Sequence, residues 1–474
     1  MASPNRKDTS PHHKSPPFYK FNFSHSSSQF TLPRRRNMDG GKNSLISELK
    51  FSSVVPAKAT GDDKVRELTA IDLAMKLHYI RGVYLFRGSE EVRNLTIYDL
   101  KKPLFPLLEQ YYVVSGRIRR RIEDGDRPFI KCNDSGVRIV EANCEKSIDE
   151  WLSIIEGDDK FLHRDGCLVH TQAIGPDLGF SPLAFIQLTR FKCGGLSVGL
   201  SWTHILGDIF SASTFINAWG SIMNNRPAHQ LRPAPAGLIW PFRSTRLSTP
   251  PVKRLDPTGD LWIGSSDCKM ATLSFRITGE QLDRILSVVG RNRAVNFSTF
   301  EAIAAIFWKS LSKIRLEDSD SRTISIYSTK CPNREGEIPR NGMEMSGVEA
   351  DFPVAGAAEG ELAELIVKKK IDEGGEIEEV VEKGKEESDF IAYGARLTFV
   401  DLEEANIYGF ELEGQKPVHV NYEIGGVGEN GVVLVLPGPP RDDGRDGGRT
   451  VTVILPEKQL PDLIDELQKQ WEIV

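Results

Sequence analysis

Long apolar runs are missing from this 474-residue chain. No stretch approaches the roughly 20 apolar residues of a membrane-spanning helix, so any membrane association expected of it is peripheral or through a partner. Charge of one sign is also scarce. The 60 Lys and Arg against 66 Asp and Glu leave a net charge of −6, which gives no reason to expect a nucleic-acid partner. Paired cysteines are lacking too: Cys132, Cys144, Cys167, Cys193, Cys268 and Cys331 are scattered, with no CxxC. Cys167 lies between His163 and His170, but no second cysteine nearby completes a tetrahedral zinc set. The six read as reduced, mostly buried thiols of a protein facing the cytosol, and no metal is expected.

What is present is an ordinary globular composition, 39% hydrophobic and 27% charged, long enough for two domains with separate cores. Residues 1–43 are the exception. They are rich in Ser, Pro and His, carry seven Lys and Arg against one Asp before Met38, and show no periodicity. They read as a disordered leader, an organelle transit peptide or an overlong gene start ahead of Met38. From Arg226 to Pro257 prolines crowd together, as expected of a stiff crossover between domains. The organisation expected is therefore a leader over 1–43, a first domain over 44–225, a crossover over 226–264 and a second domain over 265–474.

Within the first domain, Leu68-Thr69-Ala70-Ile71-Asp72 resembles a capping box, and the spacing of Ile71, Ala74, Met75, His78 and the residues after them predicts a helix with one apolar face. His78 reads as a packing or surface residue. A second helix is predicted over 100–112, ending at Ser115-Gly116. Strands are predicted at 129–132, 137–141 and 183–190. In the second domain a strand over 271–277 precedes two capping-box helix starts, at Thr278 and Ser298. The stretch 359–387 reads as charge-laced helix with a solvated face. Strands follow at 397–400, 418–424, 432–436 and 450–455, with a flexible loop at 441–448. Both halves thus mix helix and strand in α/β fashion.

One segment is arranged for chemistry. In Leu196–Asp208, LSVGLSWTHILGD, the residues Leu196, Val198, Leu200 and Trp202 alternate and share a face with His204. Ile209, Ala212, Ile216 and Trp219 then recur at helical spacing, so Asp208 falls where a helix begins. An imidazole at the end of a buried strand is well placed as a general base toward an alcohol or amine attacking an acyl thioester. The plainer reading has Asp208 as a helix-capping carboxylate, worth about 1 kcal/mol, and His204 as a satisfied core histidine.

The chain over roughly 45–474 resembles the plant BAHD (HxxxD-type) acyltransferases. The marks run in the family's order: Leu68–Leu73, then Tyr111-Tyr112-Val113-Val114-Ser115-Gly116-Arg117-Ile118, then Cys132-Asn133-Asp134-Ser135-Gly136-Val137. Phe191-Lys192-Cys193-Gly194-Gly195 and His204-x-x-x-Asp208 complete them. The resemblance implies two chloramphenicol-acetyltransferase-like α/β domains joined by a long crossover loop, with a channel at their interface. It implies His204 as general base and Asp208 as a structural residue that faces away from substrate and holds its loop through an ion pair. It implies acyl-CoA as the ligand or substrate and no bound cofactor. The departures are as informative. Ile209 follows the motif Asp where the family has Gly. The second signature, Asp-Phe-Gly-Trp-Gly, is replaced by Glu411-Leu412-Glu413-Gly414-Gln415. Tyr393-Gly394-Ala395-Arg396 stands for the Ser-Trp segment, and Asn341-Gly342-Met343-Glu344 for Tyr-Phe-Gly-Asn.

Those departures resemble one branch, the eceriferum/glossy-type proteins of cuticular wax synthesis, through Leu68–Tyr84, Ser201–Phe215 and Asn421–Val435. That resemblance implies a protein that assists the condensing enzyme of the fatty-acid elongase, a 3-ketoacyl-CoA synthase, in very-long-chain elongation. It would be monomeric apart from that complex and peripheral to the cytosolic face of the endoplasmic reticulum, with the cytoplasm as the alternative. Two other readings stay open: an active acyl-CoA-dependent acyltransferase using His204 on a hydroxyl or amine acceptor, and a soluble α/β binding protein with no acyl ligand.

Overall fold

Two apolar runs, YIRGVYLF and LSVGLSWT, are buried along almost their whole length. A strand with both faces covered reads as a continuous apolar run, and these two form the middle of a six-stranded mixed sheet. The computed structural model describes residues 45–121, 127–156, 165–226, 231–232, 246–264, 268–291, 295–315, 322–384, 387–440 and 447–473. The leader over 1–43, much of the proline-rich crossover and residues 441–446 of the loop lie outside the described residues.

The first sheet runs Ile46–Val54, Val137–Cys144, Ala184–Phe191, Leu196–Thr203, Tyr79–Phe86 and His419–Gly425. Its last member comes from the second half of the chain and pairs antiparallel with Tyr79–Phe86, Tyr422 opposite Gly82. The seven-stranded second sheet runs Met270–Ile277, Arg449–Pro456, Val432–Pro437, Leu397–Asp401, Thr323–Ser328, Glu344–Glu349 and Ile371–Asp372. Helices Gly279–Val289, Thr299–Ile314, Glu359–Lys368 and Leu460–Trp471 contribute to the core beside it. Both expected capping boxes, Thr278 with Gln281 and Ser298 with Glu301, start their helices. Asn421 links the sheets: its Oδ1 accepts from the Thr452 hydroxyl at 2.8 Å and its amide donates to Ser274 at 3.3 Å.

Several expectations need correction. The helix begun at Thr69 stops at Ala74, and the residues from Tyr79 onward are strand. A short apolar run fits either state by periodicity, and burial inside a sheet decides for the β-branched and aromatic side chains that follow. The helix expected over 100–112 is two helices, Ile97–Lys101 and Leu104–Gln110, with Pro103 at the join, then a 3-10 turn over Tyr112–Ser115. The strand expected at 129–132 begins two residues earlier, as Arg127–Lys131, and joins a small three-stranded sheet, and the one expected at 137–141 continues to Cys144. The 359–387 region is not merely a solvated face: it is two helices that bury Leu362, Ile366, Ile377 and Val381. The cysteines are not mostly buried either. Only Cys132 and Cys144 are, while Cys167 and Cys331 are exposed. No helix among the described residues is long and apolar enough to cross a membrane.

Candidate functional site

His204, expected as the last residue of its strand, instead follows the strand Leu196–Thr203 by one position and is the first residue of a 3-10 turn. The turn is pinned from several sides. The Trp202 indole donates to the Gly207 carbonyl at 3.1 Å, and the His204 N–H donates to the His78 carbonyl at 3.1 Å. Arg66 reaches in to donate to the carbonyls of Leu206, at 3.0 Å, and Pro339, at 2.8 Å. Gly207 has φ +150°, and a Cβ there would lie 2.7 Å from the Arg340 backbone nitrogen. Only glycine fits that approach.

Asp208 caps the helix Ile209–Met223, its Oδ1 accepting from the Ser211 N–H at 3.1 Å. Its Oδ2 accepts from the Gly342 N–H at 2.9 Å and from Arg334 at 3.3 Å. The side chains of this ion pair are 2% and 1% exposed. One carboxylate therefore holds a helix start and the segment 334–342 together, and its hydrogen bonds go to these partners rather than to the imidazole.

The imidazole stands in a directional chain. The Asn341 amide NH₂ donates to Asp72 Oδ1 at 2.8 Å and to the His204 carbonyl at 2.9 Å. Its carbonyl oxygen therefore faces His204 Nδ1, 2.9 Å away, and Nδ1 carries the proton. That leaves a lone pair on Nε2, the tautomer a general base needs. Nε2 is nevertheless taken: the Tyr393 hydroxyl donates to it at 3.2 Å. His204 is 1% exposed and Tyr393 2% exposed. Burial lowers the His204 pKa against the opposing pull of Asp208, Asn341 and Asp72, so the ring is held neutral. Burial likewise raises the Tyr393 phenol well above its ordinary value, helped by Tyr327 and Asp208.

A second histidine backs the first. His78 is fully buried, its ring 5.1 Å from that of Tyr393 and 6.4 Å from that of His204. Its Nε2 accepts from the N–H groups of Ala392, at 3.1 Å, and Tyr393, at 3.3 Å, so it too is neutral. Burial first, then the neighbouring His204, pushes its pKa down to about 3.

A cleft of about 1490 Å³ opens beside this group, lined by residues of both halves, among them Arg81, Lys253, Lys269, Arg315, Ile391 and Gly428. Three of its cations are ion-paired: Arg81 with Glu423 at 2.8 Å, Lys253 with Glu429 at 2.5 Å and Lys269 with Glu457 at 2.7 Å. Arg315 donates to the Asn430 carbonyl at 2.9 Å. Among the described residues, no group of three or more His, Cys, Asp or Glu is placed to hold a metal. The replaced second signature, Glu411–Gln415, makes its polar contacts elsewhere. Arg226 pairs with Glu411 at 2.9 Å, and the Gly414 N–H donates to Asn224 at 3.1 Å.

The expected residues His204 and Asp208 thus share one turn and point to different partners. Reasoning from sequence missed Asp72, His78, Arg334, Asn341 and Tyr393. Asp72 belongs to a noted motif, and Asn341 and Tyr393 lie in segments noted only for what they lacked. His78, taken as packing or surface, is a buried hydrogen-bond acceptor.

With this geometry in place, comparison with known proteins is direct. The chain is 40% identical over 437 residues to Protein ECERIFERUM 2 of Arabidopsis thaliana, covering 90% of this chain and 99% of that protein. It is 37% identical over 430 residues to Protein ECERIFERUM 26-like of the same plant, covering 90% and 95%. Among solved structures, vinorine synthase aligns over 89% of this chain and 98% of its own with a TM-score of 0.64 at 17% identity. F. graminearum TRI101 complexed with coenzyme A and deoxynivalenol aligns over 86% and 98% with a TM-score of 0.65 at 16% identity. At such identities these two establish the fold alone. Residues 47–334 match the Transferase family, and the chain belongs to that family, the plant HxxxD-type (BAHD) acyltransferases, as an eceriferum-type member.

Proposed function

We propose that this protein assists the fatty-acid elongase: a BAHD scaffold that binds the condensing enzyme, a 3-ketoacyl-CoA synthase, and extends the acyl chains made for cuticular wax. It acts as a peripheral protein on the cytosolic face of the endoplasmic reticulum and takes a long-chain acyl-CoA as its ligand. Full-length similarity to the eceriferum proteins supports this reading. The observation that carries it is the closed site: His204 is buried and both its ring nitrogens are bonded within the chain. A general base must reach the proton it abstracts, and here the nearest hydroxyl is the protein's own. The second reading, an acyl-CoA-dependent acyltransferase, is favoured by the Nε2 lone pair that Asp72 and Asn341 enforce. The coenzyme A bound by TRI101 is in keeping with either.

The experiment is the acyl-chain profile of yeast carrying a plant condensing enzyme, alone, with this protein, and with its His204→Ala variant. The accessory role expects the same lengthening from both forms. Lengthening by the unaltered protein only, with the variant present and folded, would transfer the argument to His204 chemistry. No lengthening by either would discard the accessory role.

A further inference from the structure

The position of the Tyr393 hydroxyl relative to His204 is that of an acceptor relative to its base. It lies 3.2 Å from Nε2, within the reach a general base requires, on the nitrogen that carries the lone pair. The ring is wedged in place, with centroids 4.8 Å from Tyr327, 5.1 Å from His78 and 5.3 Å from His204. Its backbone is fixed as well. The Tyr393 N–H donates to His78, and its carbonyl accepts from the Gly428 N–H at 2.9 Å. Gly394 follows with φ +83°, where a Cβ would lie 2.5 Å from the Gly428 carbonyl oxygen. Residue 394 is thereby confined to glycine, and no bulkier side chain there can displace the Tyr393 ring. Gly428 and Ile391 also line the large cleft, so the tyrosine stands one hydrogen bond behind its wall.

We propose that the volume filled by the Tyr393 ring is an acceptor site, and that this ring alone keeps His204 from serving a small phenol. The ligand class is a hydroxylated aromatic ring no larger than the one removed. In the opened site His204 Nε2 takes the phenol proton as the phenol oxygen bonds to the acyl carbonyl carbon of an acyl-CoA. The C–S bond then breaks and the same proton passes to the departing thiolate, giving an aryl ester and free coenzyme A. Tyr393 acts through His204 and by occupancy, so it is a blocking residue and not a catalytic one. The inference does not depend on the elongase reading, since an accessory protein with a blocked base and one with a dead base would lengthen chains alike.

The test supplies purified protein with hexanoyl-CoA and p-cresol, the excised side chain. Free coenzyme A is followed by thiol release and the cresyl ester by mass spectrometry. Tyr393→Ala is expected to release coenzyme A at least about tenfold faster than the unaltered protein, only when p-cresol is present. Adding His204→Ala in that background should remove the gain, a general base being worth about 10²–10⁴-fold. Tyr393→Phe, which keeps the ring and loses the hydroxyl, should stay silent. Where Tyr393→Ala does not fold, Tyr393→Leu fills more of the core and carries the same readings. p-Cresol should also raise the melting temperature of either opened variant, which reports the site without chemistry. A folded, opened variant that neither binds nor esterifies p-cresol overturns the proposal, as does a gain that survives loss of His204 or appears equally in Tyr393→Phe.

Discussion

The segment 196–211 and the segment 391–397 meet across the imidazole, and they have been treated differently. The first holds everything a base requires: a buried strand, a pinned turn, a capped helix and a tautomer set through Asn341. The second offers no room for a substrate, since Tyr393 fills the space in front of Nε2. The difference teaches that the parts of a site that also hold the fold together can stand complete where no space for a substrate is left beside them. Asp208 holds a helix start and a buried arginine, so its loss would disturb the fold whatever happens at His204. An acceptor site has no such second duty, and a tyrosine can fill it without strain elsewhere.

The sharpest way to break the comparison is Asp208→Ala. It removes a cap worth about 1 kcal/mol and leaves Arg334 buried without its carboxylate, a loss of about 3–5 kcal/mol. Arg334 Nη1 has no hydrogen-bond partner among the described residues even with the carboxylate in place. Urea unfolding should show that fall, and Asp208→Ala/Arg334→Met should be more stable than Asp208→Ala alone. Equal stability of the two would mean that the ion pair is not what the carboxylate supports. Next comes Asn341→Ala, which strips partners from Asp72, the His204 carbonyl and Nδ1. About 1–3 kcal/mol should be lost, and ¹⁵N spectra should show His204 losing its fixed tautomer; an unchanged tautomer would detach Asn341 from that role.

The effect that is smallest over the window in which it is read is the pH response of His78. Its pKa falls from 6.5 in the unfolded chain to about 3 in the fold, so below pH 6.5 the unfolded state binds a proton that the folded state refuses. Stability is then whole above pH 6.5 and is lost as pH falls from there toward 3, by about 1.4 kcal/mol per pH unit. Against the opposite slope from Glu373 and Asp401, which burial raises to about 7 and about 6, urea midpoints between pH 6.5 and 5 carry this one. His78→Gln, whose carbonyl can accept the same two N–H bonds, should flatten it; an undiminished slope would place the titration elsewhere.

Much of this was legible in the residues. Capping boxes at Thr278 and Ser298 and the helix start at Asp208 are local, so their spacing alone reports them. The strand at 79–86 was not legible as strand, because a fully buried run has no polar face to mark its period. The site was half legible. His204 and Asp208 lie within five consecutive residues, whereas Asn341 and Tyr393 reach the same ring, and Asp72 reaches Asn341, only through folding. A substitution such as Tyr393 reads in sequence as something missing. In space it is something added.

The strand His419–Gly425 completes the sheet of the other half, beside Tyr79–Phe86. A chain cut anywhere between residues 226 and 418 would therefore leave Tyr79–Phe86 as a raw edge, a row of unmet N–H and C=O groups along apolar side chains. Such an edge recruits other chains. Splice forms or expression fragments that end before residue 419 should aggregate rather than yield a working half, and the protein has to be made whole to be made at all.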